Sequence, residues 1–202
     1  MADYLSHFLI AGIPAAAAFG CFHRYRHQAL SARKLHSGLL REAVLYLYVL
    51  CLAGLAGMIL WPGYHFEEAP GLWGNLVIHN ARESLPANMN LLPLRMVGDY
   101  LQAFRERRFG YAIVMLFGNI GVFLPLGLLP ALLFRSFGGK KAFLCGLAYS
   151  LTGEFLQFFL GRHCDVDDVL LNVTGVMLGF LLVFPVRRFF PRFAAKLRCQ
   201  SE

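Results

Sequence analysis

Charged residues are scarce in this chain. Asp, Glu, Lys and Arg make up 15% of its 202 residues, and hydrophobic residues make up 57%. A soluble domain carries about 25% charged and about 45–50% apolar residues, so an ordinary water-soluble fold is excluded. Acidic residues are the scarcer sign, 12 against 19 Lys and Arg, for a formal net charge of +7. The basic residues cluster just outside the apolar runs, which is a membrane-orientation signature rather than a nucleic-acid footprint. No nucleic-acid partner is expected. Cysteine is limited to five residues, an odd number with no metal spacing, which argues against a disulfide framework. Three of them, Cys21, Cys51 and Cys145, read as small apolar residues within helices. No Ser-His-Asp order, Gly-rich phosphate loop, Cys-His pair or metal-spaced His pair stands out, and neither a metal nor a cofactor is expected. No repeat, low-complexity tract or linker divides the chain, so a single membrane domain over residues 1–202 is expected.

What the chain does have is long apolar runs. They are roughly 18–25 residues each, enough to cross a hydrocarbon core of about 30 Å as helices. The first runs from about Tyr4 to Phe22 and contains no Lys, Arg, Asp or Glu. Its start, Met-Ala-Asp-Tyr, lacks the basic region of a signal peptide, so a retained helix is expected. Gly12, Pro14 and Ala15–Ala18 make it thin enough to pack closely on a neighbour. The second covers about Ala43 to Trp61 and stops at Trp61-Pro62-Gly63. The third, about Tyr111 to Phe134, carries the breakers Gly121, Pro125, Gly127 and Pro130. The fourth covers about Ala142 to Leu160 and the fifth about Val166 to Phe190. Between the second and third, Val97, Tyr100, Leu101 and Phe104 have the spacing of an amphipathic helix lying on the membrane. The fold expected is an all-α integral membrane protein with about five transmembrane helices and an interfacial amphipathic segment between helices two and three.

Orientation follows from the cations. Five Lys or Arg lie in the first loop, three in the third and five in the tail after Phe184, which places these segments in the cytoplasm and the N-terminus outside. A polar joint between runs four and five then faces outward. It holds Arg162, His163, Cys164, Asp165, Asp167 and Asp168, with Glu154 and Gln157 before it and Asn172 after it. Counting 1.5 Å per residue, Glu154 and Asn172 lie roughly 9 Å deep and Asn119 roughly 12 Å deep. Three helices therefore offer a polar side chain at one level. Glu154 and Gln157 share a helix face, and Asp165, Asp168, Asn172, Gly175 and Gly179 form one stripe whose inner half permits close helix packing. Ionisable groups at membrane depth usually face a cavity or a partner, so this cluster is the candidate site.

Ordered along the chain, certain pieces carry a family resemblance. They are Asn90-Leu91-Leu92-Pro93, Gly118-Asn119, Phe123-Leu124-Pro125-Leu126-Gly127, Glu154-x-x-Gln157, Arg162-x-x-Asp165-x-Asp167-Asp168 and Asn172-x-x-Gly175. In this order and spacing the chain resembles the VanZ-like membrane protein family, with a resembling core of about residues 86–185. The resemblance implies a multi-pass protein of the bacterial inner (cytoplasmic) membrane acting in the cell envelope. The family's name-giving member is linked to resistance to teicoplanin-type lipoglycopeptides. The resemblance supplies no reaction.

The residues support more than one chemistry. Glu154 is a candidate acid/base or headgroup anchor with a pKa raised by burial, or one half of an ion pair with Arg162 that closes helices four and five. Arg162 suits a phosphate or carboxylate, or pairs with Asp165 or Asp168. Asp165 and Asp168 are also placed to cap the fifth helix. Asn119 and Asn172 are expected to bond each other or the backbone, Gln157 to bond across helices, and Pro125 and Gly127 to open room beside Glu154. Asn90 either covers the site or simply makes an Asx-turn. The leading expectation is an outward-facing intramembrane pocket, built from the last three helices and the Asn90 loop, that binds a membrane lipid or lipid-linked cell-wall component. The alternatives are an enzyme modifying a lipid-linked envelope component through Glu154, and a structural or partner-binding membrane protein. The sequence identifies no partner protein.

Overall fold

A helix with glycine on one face can approach another helix backbone to backbone, and this chain uses that device at its two main helix pairs. The computed structural model describes residues 2–60, 64–67, 75–78, 89–106, 109–159 and 164–201. Helix α1 (Ala2–Cys21) is followed by α2 (His23–Ser31), strand β1 (Leu35–His36) and α3 (Leu39–Leu60). Two short strands, β2 (Tyr64–Glu67) and β3 (Asn75–Ile78), form an antiparallel hairpin, and β4 (Met89–Asn90) precedes α4 (Arg95–Arg105). Then come α5 (Phe109–Leu133), α6 (Gly139–Phe159), β5 (Cys164–Asp165), α7 (Val166–Leu181), α8 (Val183–Phe189), α9 (Pro191–Lys196) and β6 (Gln200–Ser201).

Among the described residues, four segments are long and apolar enough to cross a membrane: Leu39–Ile59, Leu116–Leu133, Gly139–Phe159 and Val166–Phe189. The apolar His7–Cys21 part of α1 is shorter than these. The protein is an all-α, multi-pass membrane protein, in line with the expected run of about five helices. The Trp61-Pro62-Gly63 stop lies outside the described residues. Helix α4 is the expected amphipathic segment. Its Ala103 is buried and its Leu101 exposed, while the side chains of Val97, Tyr100 and Phe104 lie outside the described residues. The fifth apolar run is divided at Leu182 into α7 and α8. Pro185 has no N–H to return to the carbonyl of Leu181, so the ladder breaks there.

Helix α1 packs along α3, and α5 along α7, with α6 against α7. At α1–α3 a Cβ on Gly57 would stand 2.6 Å from Ala11 Cβ and 2.7 Å from the His7 carbonyl oxygen. The α5–α7 crossing is tighter. A Cβ on Gly127 would fall 1.9 Å from the Val176 carbonyl oxygen, one on Gly175 2.4 Å from that of Ile120, and one on Gly179 2.0 Å from that of Leu124. Only hydrogen fits at these positions. The expected Gly175-x-x-x-Gly179 packing stripe is therefore present. Gly127 joins it from the other helix and does not open room beside Glu154, as the spacing with Pro125 suggested.

Around the crossing, Leu55, Phe123, Leu126, Ala142 and Val176 form one buried cluster. A second, of Ala131, Leu132, Val183, Ala194 and Leu197, seats the tail against the end of α5. Strands β1 and β6 pair antiparallel, Leu35 with Ser201 and His36 with Gln200.

A side chain at Gly179 has no space to enter, whereas among the described residues nothing lies within 4 Å of a Cβ on Gly118 in the same bundle. Gly179→Val is expected to destabilise the detergent-solubilised protein by about 1–3 kcal/mol or more, as overpacking does. Gly118→Ala is expected to leave the melting temperature within error, and a thermal-shift series with both variants checks the contrast.

Candidate functional site

The joint between α6 and α7 is organised by backbone N–H groups that a helix start leaves unpaired. Asp165 is the N-cap of α7, with φ −127°, and its carboxylate accepts the Asp167 N–H. That bond is 2.8 Å. The N–H of Asp165 itself donates to Glu154 Oε2 at 2.9 Å. Glu154, from the last turns of α6, therefore holds the start of α7 through the main chain. Asp167 and Asp168 complete an acidic first turn, where the helix dipole favours negative charge.

The Asn90 segment docks on this joint. Strand β4 lies parallel to β5, with Met89 opposite Cys164 and Asn90 opposite Asp165. Asn90 Nδ2 donates to both Asp165 carboxylate oxygens, at 3.0 and 3.1 Å. Its Oδ1 accepts the Leu92 N–H at 3.4 Å, so Asn90 makes an Asx-turn and also reaches the joint. Four residues after Asn90, the N–H of Leu94, whose φ is +67°, donates to Asp167 Oδ1 at 2.5 Å.

Below the joint the polar groups of three helices converge. Asn119 Nδ2 of α5 donates to Asp168 Oδ1 at 3.2 Å. Asn172 Nδ2 of α7 donates to Ser150 Oγ of α6 at 2.9 Å. Gln157 Nε2 donates across to the Ile59 carbonyl oxygen of α3 at 3.2 Å, the interhelical bond expected of it. Asn119, Ser150, Glu154, Gln157, Asp168 and Asn172 line one cavity of about 160 Å³, walled on the other side by α3. Glu154, Gln157, Asn172 and Ser150 are all less than a tenth exposed.

Of the residues anticipated from sequence, Asn119, Glu154, Gln157, Asp168 and Asn172 thus share the cavity, and Asn90 and Asp165 meet each other at its α7 end. Arg162 and His163 lie outside the described residues, and with them the anticipated Glu154–Arg162 pair. Two expectations need correction. Asn119 and Asn172 do not bond each other, because Asp168 and Ser150 stand closer to each on the neighbouring helices. The wall is also not confined to the last three helices, since Leu55, Met58 and Ile59 of α3 close it. Ser150 was missed. The signal was present, because Ser150, Glu154 and Gln157 have the i, i+4, i+7 spacing of one helix face.

Cys164 sits at the edge of this acidic joint. Burial pushes its thiol pKa up, and the Glu154 carboxylate that the thiol bonds, with Asp165 and Asp168 nearby, pushes it further. In a variant whose other cysteines are serine, maleimide labelling should rise with pH about a midpoint above the usual thiol value of about 8.5. Glu154→Gln should bring that midpoint down. Labelling with a midpoint at or below about 8.5 in the parent would contradict the acidic, partly buried setting.

The VanZ/LLP1 family model matches residues 45–188, a range that contains every residue lining the cavity. Over 96 residues the chain is 33% identical to protein VanZ of Enterococcus faecium, covering 47% of this chain and 52% of that protein. The matched segment thus spans about half the length of that curated relative. No solved structure matches the chain. A family model covering most of the chain, together with multi-pass helices and the order of polar motifs through the last three long helices, shows that the chain belongs to the VanZ/LLP1 family.

Proposed function

We propose that this protein resides in the bacterial inner membrane, N-terminus outside and C-terminus in the cytoplasm, as a single membrane domain that holds the headgroup of a membrane lipid or lipid-linked envelope component. One observation carries the reading. The polar cavity borders a larger apolar hollow of about 430 Å³, and the two share Ile59 and Gly153. Tyr48, Leu52, Cys145 and Leu156 are among the apolar lining. A polar chamber adjoining an apolar one suits an amphiphile, with its headgroup among amides and carboxylates and its chain along α3 and α6.

The chemistry of the lining narrows the headgroup. Glu154 and Asp168 are acceptors when ionised, and Asn119, Gln157 and Asn172 each commit one of their two amide N–H groups to a protein oxygen. The two carboxylates and the amide oxygens weight the lining toward acceptors. Hydroxyl or primary ammonium groups complement it, and a quaternary ammonium does not. Arg162, as an anion grip, would add a phosphate to the recognised group. Holding such a headgroup at the outer surface is how a member of this family would lower the engagement of teicoplanin-type lipoglycopeptides with the envelope. The second reading is an enzyme with Glu154 as acid/base, favoured by Glu154 and Asp168 facing the same cavity.

Native mass spectrometry of the purified protein from nanodiscs of mixed lipids tests the binding reading. Ethanolamine or glycosyl headgroups should be retained over choline. Val122→Trp, which fills the cavity from a lining position outside the hydrogen-bond network, should weaken retention roughly tenfold, about 1.4 kcal/mol. Equal retention of all headgroups, or unchanged retention in Val122→Trp, would refute it. A new lipid mass produced by the wild type and absent with Glu154→Gln would establish the enzyme instead.

A further inference from the structure

A second cluster of chemistry-bearing side chains lies well away from the cavity. Helix α2 places His23, Arg26 and His27 on one face, at i, i+3 and i+4. Glu42, in the first turn of α3, is 6% exposed and points at that face. His23 Nδ1 lies 3.5 Å from Glu42 Oε2, and His27 Nε2 lies 3.9 Å from Glu42 Oε1. The two imidazole centroids are 4.3 Å apart. One ligand atom from each of His23, His27 and Glu42 falls within a mutual 4.8 Å.

We propose that His23, His27 and Glu42 bind a divalent transition-metal ion of the Zn²⁺ type, which clamps α2 to α3. Three ligands around a tetrahedral ion with bonds of about 2.0–2.1 Å stand about 3.4 Å apart, so the observed separations need only side-chain adjustment. The donor set, two imidazoles and a carboxylate with a fourth position left for water, suits that class of ion. A second observation points the same way. Among the described residues, the buried His27 Nε2 meets no hydrogen-bond partner, and burying an unpaired polar atom is unfavourable.

Two cations compete for Glu42: Arg41, whose Nη1 lies 3.8 Å from Oε1, and Arg26. Arg26 donates to Glu42 Oε2, while Ser37 Oγ donates to Oε1 at 2.5 Å. Arg26 is also anchored without Glu42, by a 2.9 Å bond to the Phe19 carbonyl oxygen and by its guanidinium 3.8 Å from the centre of the Phe19 ring. It therefore stays in place when the ion arrives and sets the affinity by repulsion. The cluster precedes the residues 45–188 that match the family model, so this clamp belongs to the chain's own first loop.

Co²⁺ is the probe, added to the full-length protein in detergent after chelator treatment. One equivalent should produce ligand-field absorption bands, displaced by Zn²⁺. His23→Gln and His27→Gln should each abolish the bands, and His36→Gln should leave them unchanged. Arg26→Gln should tighten binding roughly tenfold by removing the adjacent positive charge. Zn²⁺ should also raise the melting temperature of the wild type and not that of His27→Gln. The proposal is overturned if no saturable Co²⁺ band forms, or if the band persists in the His23→Gln/His27→Gln double variant. A band that weakens in Arg26→Gln would equally overturn the placement of the ion at Glu42.

Discussion

The contact on which the rest of the membrane core depends is the near-backbone crossing of α5 and α7. Gly127, Gly175 and Gly179 bring each helix against carbonyl oxygens of the other, leaving no room for a methyl group. Lipid tails are as apolar as leucine, so burial of apolar surface does little to choose between helix partners in a bilayer, and close packing takes over that task. Once α5 and α7 are locked at this depth, Asn119 is delivered to Asp168 one to two turns away. Ser150 of α6 then finds Asn172, and the carbonyl of Ile59 on α3 finds Gln157. The polar cavity is what lies beyond the end of the glycine stripe, where side chains reappear.

Glu154 shows how a carboxylate is tolerated there. Its oxygen replaces water at the Asp165 N–H, one of the donors that a helix start leaves open. Asp165 in turn caps α7 and receives Asn90, so a buried acid, a helix start and a distant loop are bound into one unit. Two carboxylates, Glu154 and Asp165, thus tie three segments together through the main-chain N–H groups of Asp165 and Asp167 and the side-chain amide of Asn90.

Much of this was legible in the chain. The apolar runs located the long helices, and the stripe from Asp165 to Gly179 located the face of α7 that meets α5. The Glu154–Gln157 spacing located the cavity side of α6. Partner choice was less legible. Depth along a helix follows from counting residues, but rotation about its axis does not, and Asn119 and Asn172 at similar depths turned to different neighbours. Gly127 could be understood only once Val176 was seen against it. The contribution of α3 left no mark at all, since its second half, Cys51 to Leu60, has no charged or amide side chain to announce which face closes a cavity. His23 and His27, four residues apart, did not stand out as a metal pair, since the carboxylate beside them sits on another helix, beyond β1.

The short β1–β6 ladder has a topological consequence. Two strands joined by main-chain hydrogen bonds must lie on one side of a bilayer, so residues 35–36 and 200–201 share a compartment. Between them, among the described residues, lie the four segments long and apolar enough to cross, Leu39–Ile59, Leu116–Leu133, Gly139–Phe159 and Val166–Phe189. Four is even, as a return to the starting side requires. The two ends of this part of the chain are thereby stitched into a ring, and a helix crossing lost or gained within it would have to break the stitch.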